Sequence, residues 1–132
     1  MTTAKEPDWV LLNDVLAIHE ELLAVHGGLR SVRDLGLLES ALSRPRNIWI
    51  YKKADIATLA AAYADGIVSN YPFVDGNKRT GFVSAVLFLE FNGLVFSAAE
   101  DEVVTMFLGL ADKKISRDEI AKWLAKNSHT VL

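Results

Sequence analysis

The residues best suited to chemistry lie together in one segment, Asn70 to Thr80, which reads NYPFVDGNKRT. Gly76 permits a backbone conformation or a close approach that a side chain would prevent, and the amides after it point out of the start of a helix. A helix N-terminus attracts anions. Lys78 adds a mobile ammonium, and Arg79 adds a planar guanidinium that can bind two phosphate oxygens at once. The segment therefore predicts a phosphate-binding loop.

Two further side chains of this segment extend the prediction to a metal ion. Asn77 adds an amide donor for a phosphate oxygen. The carboxylate of Asp75 would repel phosphate unless a cation lay between them, and Mg²⁺ is usually bound by one or two carboxylates plus substrate phosphates. We therefore predict a nucleotide-phosphate site that contains Mg²⁺.

A structural interpretation of the same residues is also open. Pro72 and Phe73 could simply form part of a turn, with Phe73 packed in the core and with Lys78 and Arg79 exposed to solvent. Short motifs often match by chance. The segment by itself does not separate the two interpretations.

Helical periodicity surrounds this segment. Apolar residues recur at helical spacing in about six stretches, and capping residues, glycines or a proline mark most of their ends. The expected helices run from Leu11 to Val25 before Gly27-Gly28, from Asp34 to about Arg44 before Pro45, from Asp55 to about Asn70, from about Thr80 to Asn92-Gly93, and after two capping boxes, Ser97 with Glu100 and Ser116 with Glu119.

Two stretches lack helical spacing. Asn47 to Lys53 has a β-prone centre and is predicted to form a short hairpin or an extended flap. Leu94 to Phe96 is strand-like, and the tail around His129 is expected to be frayed. The predicted fold class is all-α, a compact bundle of about six helices with a short flap.

Composition narrows the class of protein. The chain has 132 residues, 51% of them hydrophobic, which fits a single domain over residues 1–132. Its formal net charge of -3 argues against a nucleic acid partner. The absence of cysteine from the sequence excludes disulfides and thiolate sites. With no export signal and no apolar run of membrane-spanning length, we expect a cytoplasmic protein without a membrane segment.

The segment Tyr71 to Arg79 resembles the Fic/Doc signature His-Pro-Phe-x-Asp/Glu-Gly-Asn-x-Arg at every position except the first. The resemblance extends over most of the chain. Further segments similar to death-on-curing (Doc) toxins are Gly27-Gly28, Arg33-Asp34, Leu38 to Leu42, Arg44-Pro45, Asp55-Ile56, Leu59 to Ala61, Phe88 to Gly93 and Trp123-Leu124.

This resemblance implies a role for each residue of the motif. Asp75 would bind Mg²⁺, and Pro72 and Phe73 would anchor the loop in the core. The flap at Asn47 to Lys53 would bind the target peptide as an added strand. The loop amides and four residues would hold the nucleotide phosphates: Gly76, Asn77, Lys78 and Arg79.

Two positions bear on the reaction that the resemblance implies. Members that transfer AMP usually read Gly-Asn-Gly-Arg, with a second arginine three residues later, and Lys78 and Phe82 stand at those positions here. Lysine after the asparagine resembles Doc toxins, which use ATP to phosphorylate a hydroxyl side chain of elongation factor Tu. The implied protein is thus a toxin kinase, with an AMP transferase as the alternative.

Tyr71 occupies the position of the family's general base, a histidine. The ordinary pKa of tyrosine is about 10, against about 6.5 for histidine, so little of a phenol is in its basic form near neutral pH. Loss of a positioned base typically costs about 10² to 10⁴ in rate. We expect ligand binding with impaired turnover, from either an introduced change or a natural variant. Tyr71 acting as an acceptor or as an activated phenolate is a further alternative.

The resemblance also implies a protein partner. The chain lacks the Ser/Thr-x-x-x-Glu-Gly/Asn motif of self-inhibited relatives, so the resemblance implies a separate antitoxin whose C-terminal segment folds into a groove. A catalytically silent module that binds nucleotide or antitoxin is the non-enzymatic alternative.

His19 lies on the apolar face of its helix, where a core histidine bonded to a carbonyl is favoured over a ligand. The spacing of the histidines suggests no zinc site.

Overall fold

The computed structural model describes residues 5–131, and within them it is mostly helical with one small sheet, which confirms the all-α class. In chain order the elements are α1 (Leu12–His26), α2 (Leu35–Lys52), α3 (Ile56–Asn70), α4 (Asn77–Phe91), β1 (Leu94–Phe96), α5 (Glu100–Ala111), α6 (Arg117–Lys126) and β2 (Ser128–Thr130).

Helix α3 lies at the centre of the fold, where it packs against α2, α4 and α6. Ten of its 15 residues are buried, and many are alanines that let neighbouring helices approach closely. Gly66 shows how close that approach is, because a Cβ at this position would lie 3.1 Å from Cβ of Ala41 in α2. Gly81 of α4 makes a similar approach to Ala64, at 3.2 Å from its carbonyl oxygen. The loop between α3 and α4 therefore starts and ends on tightly packed helices.

The prediction that the second helix stops near Arg44 is wrong, because α2 continues through Pro45 to Lys52. A proline cannot donate a hydrogen bond to the carbonyl four residues earlier. Here that carbonyl belongs to Ala41 and faces α3 where Gly66 leaves room for it. Interior prolines cost about 3 kcal/mol, so packing elsewhere must offset the loss.

The flap predicted at Asn47 to Lys53 is likewise wrong, since this segment forms the last turns of α2 and its C-cap. Helical geometry brings Trp49 against Trp9, with ring centroids 6.4 Å apart, and packs Ile48 on the core. The ammonium of Lys53 lies 3.8 Å from the Trp49 ring centroid. Burial of aromatic and aliphatic surface outweighs the local β preference. The segment is not an extended strand to which a peptide could pair.

The C-terminal third differs from the prediction in two places. The capping box at Ser97 is wrong, because α5 begins at Glu100 after Ala99, while the Ser97 amide donates to Asn127 at 2.9 Å. The tail is ordered as β2, which pairs antiparallel with the predicted strand β1, opposing His129 to Val95. The second capping box, Ser116 with Glu119, is confirmed.

Tyr63 joins the segment before α1 to the centre of the fold. Its hydroxyl donates to the carbonyl of Val10 and accepts from the Val10 amide, both at 3.0 Å. The side chain is fully buried against Phe88. Burial raises the pKa of Tyr63 to about 12. Ionisation of this phenol is therefore disfavoured in the folded state. Within residues 5–131, no helix combines the length and apolarity needed to cross a membrane.

The first prediction concerns alkaline stability. An unfolded tyrosine ionises near pH 10, whereas Tyr63 in the folded protein stays protonated to about pH 12. The stabilisation is complete below pH 10 and is lost as the pH rises to 12, by roughly 2 to 3 kcal/mol. Urea unfolding at several pH values should show a smaller loss over this range in Tyr63→Phe. Tyr51→Phe, at an exposed position, is the matched control and should behave as the parent. An equally steep loss in Tyr63→Phe would contradict the prediction.

Candidate functional site

The predicted phosphate loop connects the two buried helices α3 and α4. Tyr71 ends α3 in the left-handed conformation, with φ of 55°. Gly76 precedes α4 with φ of 83°, a region that glycine enters without steric cost. Helix α4 begins at Asn77, so its first free amides follow Gly76 directly. The structure thus forms the helix N-terminus on which the anion prediction depends.

Asn77 has its side chain turned into the loop. Only 4% of the residue is exposed. Its Oδ1 accepts from the Phe73 amide at 3.0 Å, and its Nδ2 donates to the Phe73 carbonyl at 2.9 Å. These paired bonds hold the loop in a ring of five residues. The contribution of Asn77 to an anion site would come from its main-chain amide, with the side chain fixing the loop.

Phe73 is completely buried and lies in the hydrophobic core. Next to it, the carbonyl of Pro72 accepts from the amides of Arg33 at 2.7 Å and Asp34 at 3.0 Å. The amide of Val74 donates to the Ser31 carbonyl at 3.0 Å. The loop is therefore held from below by Phe73 and from the side by the segment that precedes α2.

Asp75 is exposed, but its position is fixed by two hydrogen bonds from the N-terminal part of the chain. Its Oδ2 accepts from the Leu29 amide at 2.9 Å, and its carbonyl lies 2.9 Å from Nε2 of His19. None of the described residues donates to Oδ1. One carboxylate oxygen is thus used by the protein and the other is available to a ligand.

Tyr71 is 52% exposed at the edge of the site. Its carbonyl accepts from Nε of Arg33 at 2.7 Å, and the same guanidinium donates to the Asn70 carbonyl at 3.0 Å. The Asn70 side chain accepts from Arg44 at 2.9 Å and donates to the Leu37 carbonyl at 2.8 Å. These bonds satisfy carbonyls at the end of α3 and fix residue 71 through its backbone.

A cleft of about 320 Å³ lies over the start of α4 and brings the predicted site residues together. Neither Lys78 nor Arg79 forms an ion pair with any residue from 5 to 131, so both charges are available. The opposite wall is apolar and comes largely from α5, where Val104 and Leu108 are about half exposed. The lining residues are Tyr71, Asp75 to Arg79, Phe82, Val103, Val104, Phe107 and Leu108.

The donor set of the cleft fits a metal ion that is shared with phosphate. The part of the chain that the structure describes contains no group of three or more acidic, histidine or cysteine residues able to enclose a metal. A single exposed carboxylate with one unbonded oxygen is what Mg²⁺ uses when substrate phosphates supply further ligands. Asp75 is the residue that would hold it.

Sequence reasoning missed the residues that support and face the loop. In the sequence, Arg33 and Arg44 belong only to segments of family resemblance, and no pattern predicts that they bond the end of α3. The apolar wall that α5 contributes to the cleft could have been found from the sequence. Val104 and Leu108 are apolar residues of that helix that do not face the core.

Comparisons with known proteins show which family the chain resembles. Residues 9–89 match the model of the Fic/DOC family. The chain is 30% identical over 115 residues to "Protein kinase doc" of Escherichia phage P1, covering 86% of this chain and 90% of that protein. It is 36% identical over 104 residues to "Toxin Doc" of Mycolicibacterium smegmatis, covering 75% of this chain and 79% of that protein.

The second prediction tests the Asn77 ring. Asn77→Ala should lower the free energy of unfolding by about 2 to 4 kcal/mol, because it leaves the buried amide and carbonyl of Phe73 without partners. Lys78→Ala, at the exposed neighbouring position, should change stability by less than about 0.5 kcal/mol. Urea unfolding of both variants measures the difference. Equal stability of the two would show that the ring does not hold the loop.

Proposed function

Since the chain belongs to the Fic/DOC family, as a toxin of the Doc type, we propose that it is an ATP-dependent kinase with elongation factor Tu as its target. The observation that carries the proposal is the cleft in which Asp75, Lys78 and Arg79 meet the N-terminus of α4. Anion-binding amides, two unpaired cations and one carboxylate are the groups that phosphoryl transfer requires for holding a nucleotide. The proposal places this activity in the cytoplasm.

The two walls of the cleft bind different parts of ATP. The free amides of α4 with Lys78 and Arg79 hold the phosphates, and the apolar α5 wall contacts the nucleoside. Asp75 would hold Mg²⁺ together with the phosphates. When bound, the ion offsets negative charge on the phosphoryl oxygens during transfer. In the reaction a target hydroxyl forms a bond to the γ-phosphorus, the bond to ADP breaks, and the hydroxyl proton passes to a base.

The base position explains why this chain would turn over slowly. Tyr71 lies beside the phosphate-binding residues in the cleft, at the motif position where the family has histidine. A neutral imidazole accepts a proton readily near pH 7, whereas a phenol must first lose its own. Binding is retained because the phosphate contacts come from other residues, and the rate falls because no neutral base stands at position 71.

Two other functions are compared with the kinase. A silent module that binds nucleotide or antitoxin is favoured by the phenol at Tyr71. An AMP transferase is disfavoured because Phe82, at the position of its second arginine, packs in an aromatic cluster with Phe96 at 5.7 Å and Phe107 at 5.4 Å. That position has no charge to offer a phosphate.

The proposal that the chain is a Doc-type toxin also indicates its partners. A separate antitoxin would inhibit it by folding a C-terminal segment into a groove on this domain. The target would contact a surface other than a strand at Asn47 to Lys53, because that stretch is the end of α2 and its C-cap. The hydroxyl of the target must enter the cleft beside residue 71.

The third prediction restores the base. Tyr71→His should raise transfer of phosphate to elongation factor Tu by a factor on the order of 10² or more, because imidazole is largely neutral and basic near pH 7. ATP labelled at the γ-phosphate measures the reaction, and ATP labelled at the α-phosphate detects AMP transfer. The variant should also be toxic when it is expressed without an antitoxin.

The matched control uses Asp75→Asn in the Tyr71→His background. Asparagine keeps an oxygen that can accept from the Leu29 amide but removes the charge that would hold Mg²⁺. We expect it to abolish the gain in activity. Equal γ-phosphate transfer by the parent and Tyr71→His would mean that the base lies elsewhere, and labelling from the α-phosphate alone would contradict the kinase proposal and reassign the chain to the AMP transferases.

A further inference from the structure

We propose that His19 is a positioning residue for Asp75. It bonds the main-chain carbonyl of Asp75 and thereby raises the affinity of the site for Mg²⁺. The inference rests on the proposed function, because it takes Asp75 as the residue that holds the ion. His19 lies in α1, 56 positions before Asp75 in the sequence. It is a buried polar side chain with no part in the proton transfer described above.

The hydrogen bond between the two residues has a defined direction. Nε2 of His19 lies 2.9 Å from the carbonyl oxygen of Asp75. A carbonyl oxygen only accepts, so Nε2 carries the proton and donates. Only 6% of His19 is exposed. Water has little access to this buried hydrogen bond and could not easily replace it. Loss of the bond would therefore leave the Asp75 carbonyl free to move.

The imidazole also fills the space beneath the loop. Its ring is stacked on Phe73, with centroids 3.8 Å apart and planes inclined by 11°. A Cβ at Gly76 would lie 3.6 Å from Cδ2 and 3.7 Å from Nε2 of the same ring. His19 thus contacts Phe73 and Asp75 directly and lies next to Gly76.

Two donors from the same part of the chain fix Asp75 at separate atoms. His19 donates to the carbonyl, and the Leu29 amide, just after α1, donates to Oδ2. The remaining oxygen, Oδ1, is therefore oriented by contacts that do not involve any phosphate-binding residue. Residues that orient a metal ligand in this way typically contribute 10-fold to 100-fold to metal affinity.

Two substitutions separate the donor from the ring. His19→Phe keeps a flat ring that can stack on Phe73 but cannot donate to Asp75. His19→Gln gives up the ring but carries a side-chain amide that can donate from nearly the same place as Nε2. His129→Phe is the matched control, because His129 is exposed on β2. Thermal unfolding of each variant establishes that it is folded.

The first measurement is calorimetric titration of ATP at a series of Mg²⁺ concentrations. In His19→Phe the Mg²⁺ concentration that supports half of the binding should rise about 10-fold or more. His19→Gln should recover most of this loss, and His129→Phe should match the parent. Folded His19→Phe with the Mg²⁺ dependence of the parent would overturn the role of His19, as would equal losses in His19→Phe and His19→Gln.

The second measurement needs no nucleotide. In the free protein, the Val74 amide should exchange its hydrogen about 10-fold faster in His19→Phe than in the parent. The Ser97 amide, bonded to Asn127 away from the loop, should exchange at the same rate in both. Faster Val74 exchange in a protein whose parent form binds no ATP would reject the proposed function and retain the positioning of the loop by His19. Unchanged exchange, with normal ATP binding, would reject the positioning role alone.

Discussion

The paired hydrogen bonds between the Asn77 side chain and the backbone of Phe73 are the interaction on which the site depends. They close the loop on itself at the point where α3 gives way to α4. With Phe73 held in the core, the middle of the ring turns outward, and Asp75 is exposed at the surface. The first amides of α4, which have no partner within the helix, follow directly after this ring. A change in this ring would therefore alter the position of Asp75 and the start of α4 together.

The fold around the ring follows from a second constraint, the close packing of small residues. Gly66 against Ala41 and Gly81 against Ala64 bring three helices nearer than larger side chains would allow. Since protein interiors are packed as densely as crystals, such contacts leave the helices little freedom to shift. Both ends of the loop are fixed in consequence. The loop needs to be held in only a few further places, and the N-terminal part of the chain supplies them.

Much of this arrangement could be predicted from the sequence, and the failures have local causes. Helical periodicity gave the class and most helix positions, because amphipathic spacing reflects burial. Pro45 misled the prediction because the cost of an interior proline is local, whereas the packing of Trp49 on Trp9 that outweighs it comes from residues distant in sequence. The pairing of β2 with β1 is non-local in the same way. The secondary-structure propensity of a short segment does not depend on such long-range contacts and cannot predict them.

The candidate site shows the same division between local and distant information. The types and order of residues 72 to 79 indicated a phosphate loop, because glycine, asparagine and basic residues each have a definite use there. The prediction of a buried His19 bonded to a carbonyl is confirmed, but the sequence did not indicate that this carbonyl belongs to Asp75. Nor did it indicate that Asn77 bonds the loop or that α5 forms the facing wall. Those contacts join residues by geometry that only the folded chain has.

Residue 71 is where the proposed function separates the binding of nucleotide from catalysis. Tyr71 adopts a left-handed backbone conformation that costs a residue with a side chain about 1 kcal/mol or more. Arg33 donates to the carbonyls of Asn70 and Tyr71, which are main-chain atoms that every residue has, and its guanidinium also lies 5.9 Å from the centroid of the Tyr71 ring. The side chain at position 71 is half exposed and takes no part in the Asn77 ring or in the bonds to Asp75. Under the proposed function, exchange of tyrosine and histidine there would change the proton acceptor and leave the main-chain hydrogen bonds that anchor the loop in place.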